Sequence, residues 1–444
     1  MARTQPARRG RFAALVGALL FVGLGCAGVS QQGPRRYAPV EELRRCGKRE
    51  CVEGSLEFRH WADAAHYRGR LPYHASVGAA LDGPPNPDIE RVIVVIHGVV
   101  GETPKALASR TVPPALEQIL NVRSALAKAV AEDASLDPER IAILAPTFQI
   151  TGDWQPYTDA DPRAWTWRGV GWNRGADAVE GTKRGRVVAE PVSSFAVLDE
   201  LLRASLLQFP NLREVVLVGH SSGGQTVHRY NLLGVGVIEH LAHEGVHVRS
   251  VVANPGMYAF PSRRRKLPAD RRPRAGEGEG ETGSWRWALP QGCKDHDRWG
   301  FGLTDLPRAE PGEALTRADE AIAYALDTYL RPADRKLARR GRNDPDGKEG
   351  REAARQALLR QYASREIWHL QATTDTVSTF GSVCPATAQG RSRLERFRHF
   401  EEAWRGLVGL PTDSLHFVPV EGTFNPHNSR AIYVSEAGRH LLFH

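Results

Sequence analysis

The run from Glu214 to Tyr230, Glu-Val-Val-Leu-Val-Gly-His-Ser-Ser-Gly-Gly-Gln-Thr-Val-His-Arg-Tyr, limits what this chain can fold into more than any other. Val215, Val216, Leu217 and Val218 form an unbroken apolar stretch, the pattern of a parallel strand buried on both faces. From Gln225 the polar residues open a helical pattern. Ser221 falls on the turn between strand and helix, inside Gly219-His220-Ser221-Ser222-Gly223, which fits G-x-S-x-G. A serine on so tight a turn strains the backbone and crowds the strand against the helix, so residues without Cβ are needed two positions to either side. The hydroxyl is then held at the C-terminal edge of a sheet. There the amide of Ser222 sits at a helix N-terminus and can donate to a developing oxyanion. Five such letters alone mark a glycine-rich turn; flanked by strand and helix, they mark a nucleophile.

At 444 residues, with 41% apolar and 25% charged residues, the chain can bury a large core as one elaborated domain or two. The formal charge is +8, but residues 1 to 25 hold Arg3, Arg8, Arg9 and Arg11 and no acid, which leaves +4 for the remainder. So mild a charge, without a recognised binding motif, argues against nucleic acid as a partner. Residues 1 to 25 have the order of an export signal: arginines, the apolar run Phe12 to Leu24, then small residues. That run is too short to span a bilayer comfortably. Its end, Gly23-Leu24-Gly25-Cys26, resembles a bacterial lipoprotein signal, which implies lipidation at Cys26 and a membrane anchor at the cell envelope. Gly23 stands where that box usually has leucine, and plain cleavage after Ala27 is the alternative. Residues 26 to 54 then read as a linker and N-terminal segment, and 55 to 444 as the folded domain. Export permits disulfides, and Cys46, Cys51, Cys293 and Cys384 admit three pairings. A local Cys46–Cys51 loop with a distant Cys293–Cys384 link is the simplest. A zinc site is the alternative, but Cys46 and Cys51 lack a compact second pair nearby.

In chain order, residues 55 to 90 read as short leading strands, and Arg91 to Val100 as a second buried strand running into His97-Gly98. A loop at this point can bring the second oxyanion amide, assigned to Val99 with Gly98 as the alternative. Pro113 to Asp133 predicts an amphipathic helix with Leu116, Ile119, Leu120, Leu126 and Val130 on one side, and Ile141 to Phe148 the next strand. Trp154, Trp165, Trp167 and Trp172 lie in an aperiodic stretch, either lining a cleft or packing over a sheet end. Pro191 to Phe209 returns to helix.

Beyond the elbow, His243-Glu244-Gly245-Val246-His247 matches the zinc-protease pattern H-E-x-x-H, but Gly245 breaks a helix and His247 opens the apolar strand that runs to Ala253. No metal and no cofactor is expected. Residues 255 to about 365 form a large insertion, placed to cover a cleft as a cap. Within it the Arg-rich and then Gly/Glu-rich stretch Ser262 to Gly283 reads as a mobile loop, and Ala314 to Leu330 and Lys348 to Tyr362 as helices. Its basic residues read as solvated surface rather than as a contact for anionic lipid. Ile367 to Ala372 is a strand leading to Asp375, and Leu415 to Val420 a last strand leading to His427 and a closing helix. His416 falls near the start of that strand, more than about 10 Å back along it, so His427 is the better base, with His97 and His444 as alternatives.

Strands alternating with helices predict an α/β fold, a mostly parallel sheet with helices on both faces. Gly-His-Ser-Ser-Gly-Gly-Gln with Arg229-Tyr230, then Val251-Val252-Ala253-Asn254-Pro255, then Cys384 near Gln389-Gly390 and Arg393-Leu394-Glu395-Arg396, resemble a microbial group of α/β-hydrolase proteins. The resemblance runs from about Arg91 to the C-terminus. It implies an α/β-hydrolase fold and a triad of Ser221, Asp375 and His427, in the chain order of that fold. The chain departs from the group at Val99-Val100-Gly101 and in the basic insertion. The reading is an esterase- or lipase-like serine hydrolase of small-molecule or lipid esters. A peptidase or polyester depolymerase uses the same parts, and the rival from another class is a non-catalytic binding protein of the same fold.

Overall fold

A computed structural model describes residues 51–60, 65–99, 114–150, 163–234, 236–268, 285–303, 348–378, 380–411, 413–423, 425 and 427–444. The export segment, Cys26, Cys46, Trp154 and the helix expected at Ala314 to Leu330 lie outside these residues, as does the side chain of Cys51.

Val92–Ile96, Ile141–Pro146 and Val215–His220 are buried along their whole length, as strands covered on both faces must be. They are the centre of an eight-stranded sheet built from β1 (Cys51–His60), β2 (Ala65–Ser76), β3 (Arg91–Ile96), β4 (Ile141–Pro146), β5 (Glu214–His220), β6 (His247–Ala253), β7 (Glu366–Ala372) and β8 (Leu415–Val420). The spatial order is β1-β2-β4-β3-β5-β6-β7-β8. β2 runs antiparallel to both β1 and β4, and the remaining neighbours are parallel. This order, with the Ser221 strand in the middle, is the α/β-hydrolase fold. β1 opens at Cys51, so the last residues read as linker already belong to the sheet.

The covering helices are α1 (Pro114–Glu132), α2 (Ser194–Gln208), α3 (Ser222–Leu233), α4 (Val237–His243), α5 (Lys348–Ala363), α6 (Arg393–Arg405), α7 (Ser429–Val434) and α8 (Glu436–Phe443). α1, α7 and α8 pack together, while α3 packs on α5 and on the sheet, and α2 on α4. The apolar side expected for α1 is only partly the buried one. Ile119 and Leu126 are buried with Val122, Ala125 and Ala129, whereas Leu116, Leu120 and Val130 are half-buried. The reason is a second neighbour: Gln118 and Asn121 are buried because they donate to Ser429 of α7 at 3.3 and 2.9 Å.

Two parts of the insertion differ from expectation. Of the run read as a loop from Ser262 to Gly283, residues 269–283 lie outside the described residues, while Arg265–Pro268 is instead a strand, paired antiparallel with Trp285–Ala288. Its anchor is Arg265, fully buried among the carbonyls of Ser262, His296 and Phe301, 3.2 Å from Asp297 and over the ring of Phe260. The helix read as part of the cap, α5, is instead the crossover between β6 and β7. Leu358, Leu359 and Tyr362 are fully buried, and the Tyr362 hydroxyl joins His228 on α3 (2.8 Å) to His369 on β7 (2.9 Å). Among the described residues no helix is long and apolar enough to cross a membrane.

Candidate active site

Ser221 carries φ 57° and ψ −116°, a conformation that costs a non-glycine residue about 1–3 kcal/mol and persists only where its surroundings impose it. Here they do. A Cβ on Gly219 would overlap the Gly223 carbonyl, and one on Gly223 would overlap the carbonyl of Ile96. A Cβ on Gly224 would lie 2.7 Å from the Ala253 carbonyl. β5, α3 and the ends of β3 and β6 therefore meet at contact distance, and the Ser221 amide donates to Ala253 at 3.0 Å.

The structure brings the three residues singled out from sequence into one hydrogen-bonded line. His427 Nε2 lies 3.0 Å from Ser221 Oγ, and His427 Nδ1 lies 3.1 Å from Asp375 Oδ2. An ionised carboxylate only accepts, so Nδ1 carries the proton and Nε2 is left to accept from the serine hydroxyl. Asp375 is 1% exposed, on the loop after β7; His427 follows β8. The two loops are fastened to each other by Thr374 and Thr423 (2.9 Å) and by Thr373 with Glu421 (2.8 Å). Asn254, at φ 41°, ties the end of β6 to β7 through its amide and side chain, at 2.9 Å to Leu370 and 2.8 Å from Ala372.

Around this line stand residues whose part the sequence reading did not see. Arg393 at the start of α6 donates to the other oxygen of Asp375 at 3.3 Å. Burial lowers its guanidinium from the ordinary arginine value, and Asp375 acts the other way. The ring of His220 packs 4.7 Å from that of His427. Burial first, then His427 and Arg393, hold His220 well below the ordinary histidine value, so it is neutral. Ser222 opens α3, and its hydroxyl accepts from Asn173 Nδ2 at 2.9 Å. Asn173 in turn accepts twice from Arg229 (2.9 and 2.8 Å), whose other nitrogen donates to Gln225 and Gly300. Asn173 lies in a stretch without periodicity, so no local pattern points to it.

Gly98 lies directly beside the serine: a Cβ on it would be 3.3 Å from Ser221 Cβ, and half-buried Val99 follows. His97 accepts from Phe148 N at 3.0 Å and donates from Nδ1 to the Gly98 carbonyl at 2.9 Å. Both of its nitrogens are committed, and burial lowers it to about 4, which makes it the anchor of this loop. His416 stacks on Trp368 at 3.8 Å within the sheet, and His444 sits 3.6 Å from Asp133 at the chain end.

Cys293 and Cys384 are disulfide-bonded, with Cα atoms 5.9 Å apart, which joins the insertion to the loop between Asp375 and Arg393. His243, Glu244 and His247 are all exposed; Gly245 at φ 80° ends α4, and His247 opens β6 against Glu366 at 2.7 Å. No group of metal-ligating side chains occurs among the described residues. Trp165, Trp167 and Trp172 are fully buried, with Trp172 stacked on Phe148 at 5.1 Å, so they are packed cover. A groove of about 1060 Å³ between the paired strands Arg265–Pro268 and Trp285–Ala288 and α5 shares no residue with the site. Of its arginines, Arg355 is paired with Glu352, and Arg263 lies 3.8 Å from Asp297.

No protein-family model and no curated protein matches the chain in sequence. Solved structures of similar fold include the poly(3-hydroxybutyrate) depolymerase LpqC from Bordetella parapertussis, at 19% identity and a TM-score of 0.41 over 88% of each chain. Another is poly(aspartic acid) hydrolase-1 from Sphingomonas sp. KT-1, at 16% identity and 0.43 over 88% of this chain and 98% of that one. A third is the siderophore hydrolase EstB from Aspergillus nidulans, at 9% and 0.37 over 93% and 98%. At such identities and scores the likeness says nothing of substrate.

Proposed function

We propose that the chain is a serine hydrolase of carboxylic esters acting through an acyl-enzyme. The observation that supports this most is the line from Ser221 Oγ through His427 to the buried Asp375, at 3.0 and 3.1 Å, on a turn held in a strained conformation. His427 takes the Ser221 proton as Oγ bonds to the ester carbonyl carbon, and the carbonyl electron pair becomes an oxyanion facing the amides of Ser222 and Val99. The C–O bond to the alcohol then breaks, and His427 returns the proton to the leaving oxygen. Water, deprotonated by the same histidine, attacks the acyl-serine to release the acid and restore Ser221. Asp375 keeps His427 in the required tautomer and stabilises its charged form.

A fluorophosphonate probe and a series of p-nitrophenyl esters of graded acyl length test the reading together. The wild-type protein is expected to be labelled and to turn over at least one ester. Ser221→Ala should keep its melting temperature and lose both. Labelling that persists on Ser222 or elsewhere in the variant overturns the assignment. Absence of labelling and turnover in the folded wild type points instead to a binding protein.

A further inference from the structure

Asp375 faces two partners, and the proposed proton path uses only one of them. Oδ2 accepts from His427 at 3.1 Å while Oδ1 accepts from Arg393 at 3.3 Å. The carboxylate is 1% exposed and the Arg393 side chain 11%, so bulk water screens neither charge well. The arginine is delivered by its helix. Ser392 caps α6 by accepting from Glu395 N at 3.2 Å, and Leu394 N donates to the Asp375 carbonyl at 3.2 Å, which fixes the first turn of α6 against the acid loop. The guanidinium also lies 5.9 Å over the ring of Phe380, a residue at φ 61°. Other charged groups nearby have partners of their own. Arg396 gives its guanidinium to the carbonyls of Ala386, Gly390 and Gly256, Glu395 accepts from Arg391 N, and Glu421 accepts from Thr373. Tyr258 is buried, and His220 packs on His427 from the serine side.

We infer that Arg393 is a positioning residue of this site, which holds the Asp375 carboxylate toward His427 and sets the pH at which the Asp375–His427 pair takes up a proton. The inference rests on the serine-hydrolase reading. With Arg393 present, part of the carboxylate's field ends on the guanidinium. Without it, the buried charge is answered by His427 alone or by protonation of the acid itself, and in both cases the pair gains its proton at higher pH. Neutral His427 is the form that accepts from Ser221, so the rising limb of the pH profile moves upward when Arg393 is lost.

The test compares wild type, Arg393→Met, Arg393→Gln and Arg393→Lys in the full chain. The rate of fluorophosphonate labelling of Ser221 and kcat/KM for a p-nitrophenyl ester are followed from pH 5 to 9, with melting temperatures alongside. Arg393→Met is expected to raise the midpoint of the rising limb by roughly 0.5–1 pH unit, the scale of an indirect charge effect. It should also lower the plateau about tenfold, because the histidine is less well aimed. Arg393→Lys, which keeps the charge, should restore most of the midpoint. If Arg393→Met does not fold, Arg393→Gln carries the same expected shift with a smaller loss of plateau. A limb that stays in place while the plateau or melting temperature falls overturns the inference and leaves Arg393 a structural tie. If wild-type Ser221 is not labelled at any pH, the hydrolase reading itself falls, and this inference with it.

Discussion

Histidine is abundant near the site, and position decides between the candidates. His97, His220 and His427 all lie within one layer of Ser221, yet only His427 presents a nitrogen to Oγ and the other nitrogen to a carboxylate. His97 spends its two nitrogens on Phe148 and Gly98, and His416 sits in the sheet against Trp368. His427→Gln is therefore expected to lower kcat/KM for esters by at least about 10³-fold, since it removes the proposed general base. His416→Gln should stay within a few-fold of wild type. Steady-state kinetics on both, each with its melting temperature, checks the pair; near-parental turnover in folded His427→Gln refutes the role. The charge of Arg393 was visible in the sequence, but nothing local says that it meets Asp375, eighteen positions earlier in the chain. The pairing depends on where α6 lands.

At the scale of the elements, the elbow is a packing solution. Gly223 lets α3 lie against the exit of β3, where its missing side chain makes room for the carbonyls of Ile96 and His97. Gly223→Ala forces these apart, and overpacking of this kind costs roughly 1–3 kcal/mol or more. Because the displaced carbonyls belong to the His97–Gly98 turn, the folded fraction should also react more slowly with fluorophosphonate. Gly83→Ala is the matching control, since a Cβ there meets nothing closer than 3.6 Å. Equal melting temperatures and labelling rates for the two variants would show that the crowding is absent in solution. The strand–turn–helix was legible in sequence because period and punctuation are local. The true buried side of α1 was not, because α7 arrives from the far end of the chain to cover Gln118 and Asn121.

Across the whole molecule, the two edges of the sheet are built differently. The N-terminal edge is laced by Arg91 with Glu214 (2.6 Å) and Arg249 with Glu366 (2.9 Å), while the C-terminal edge carries the candidate site. Inside, several histidines are neutral by burial. Burial, then repulsion from His97 when both would be protonated, lowers His74 to about 4; burial lowers His97 to about 4 and His369 to about 3, against 6.5 when unfolded. A histidine with a depressed folded value binds its proton more weakly in the native state. The stability it contributes is present above pH 6.5 and is lost as pH falls from there toward 4, or toward 3 for His369. At pH 5.5 each has lost roughly 1 kcal/mol and the three together a few kcal/mol, enough to lower the melting temperature by several degrees. Calorimetry at pH 7.5 and 5.5 measures this, and an unchanged melting temperature would mean these rings are not buried neutral.

What the chain's own pattern determined is the part governed by short-range rules. An apolar run between turn signals makes a buried strand, a serine between glycines makes the elbow, and Ser, Asp and His each follow a strand of a parallel sheet, so all three emerge at one edge. What the tertiary structure alone decided is the fate of the charges. Arg229, Arg265 and Arg396 look like solvent-facing residues in sequence, yet each is fully buried and wrapped in carbonyl or amide oxygens from distant segments. A guanidinium can be buried only when many fixed acceptors converge on it, and such convergence is a property of the assembled fold.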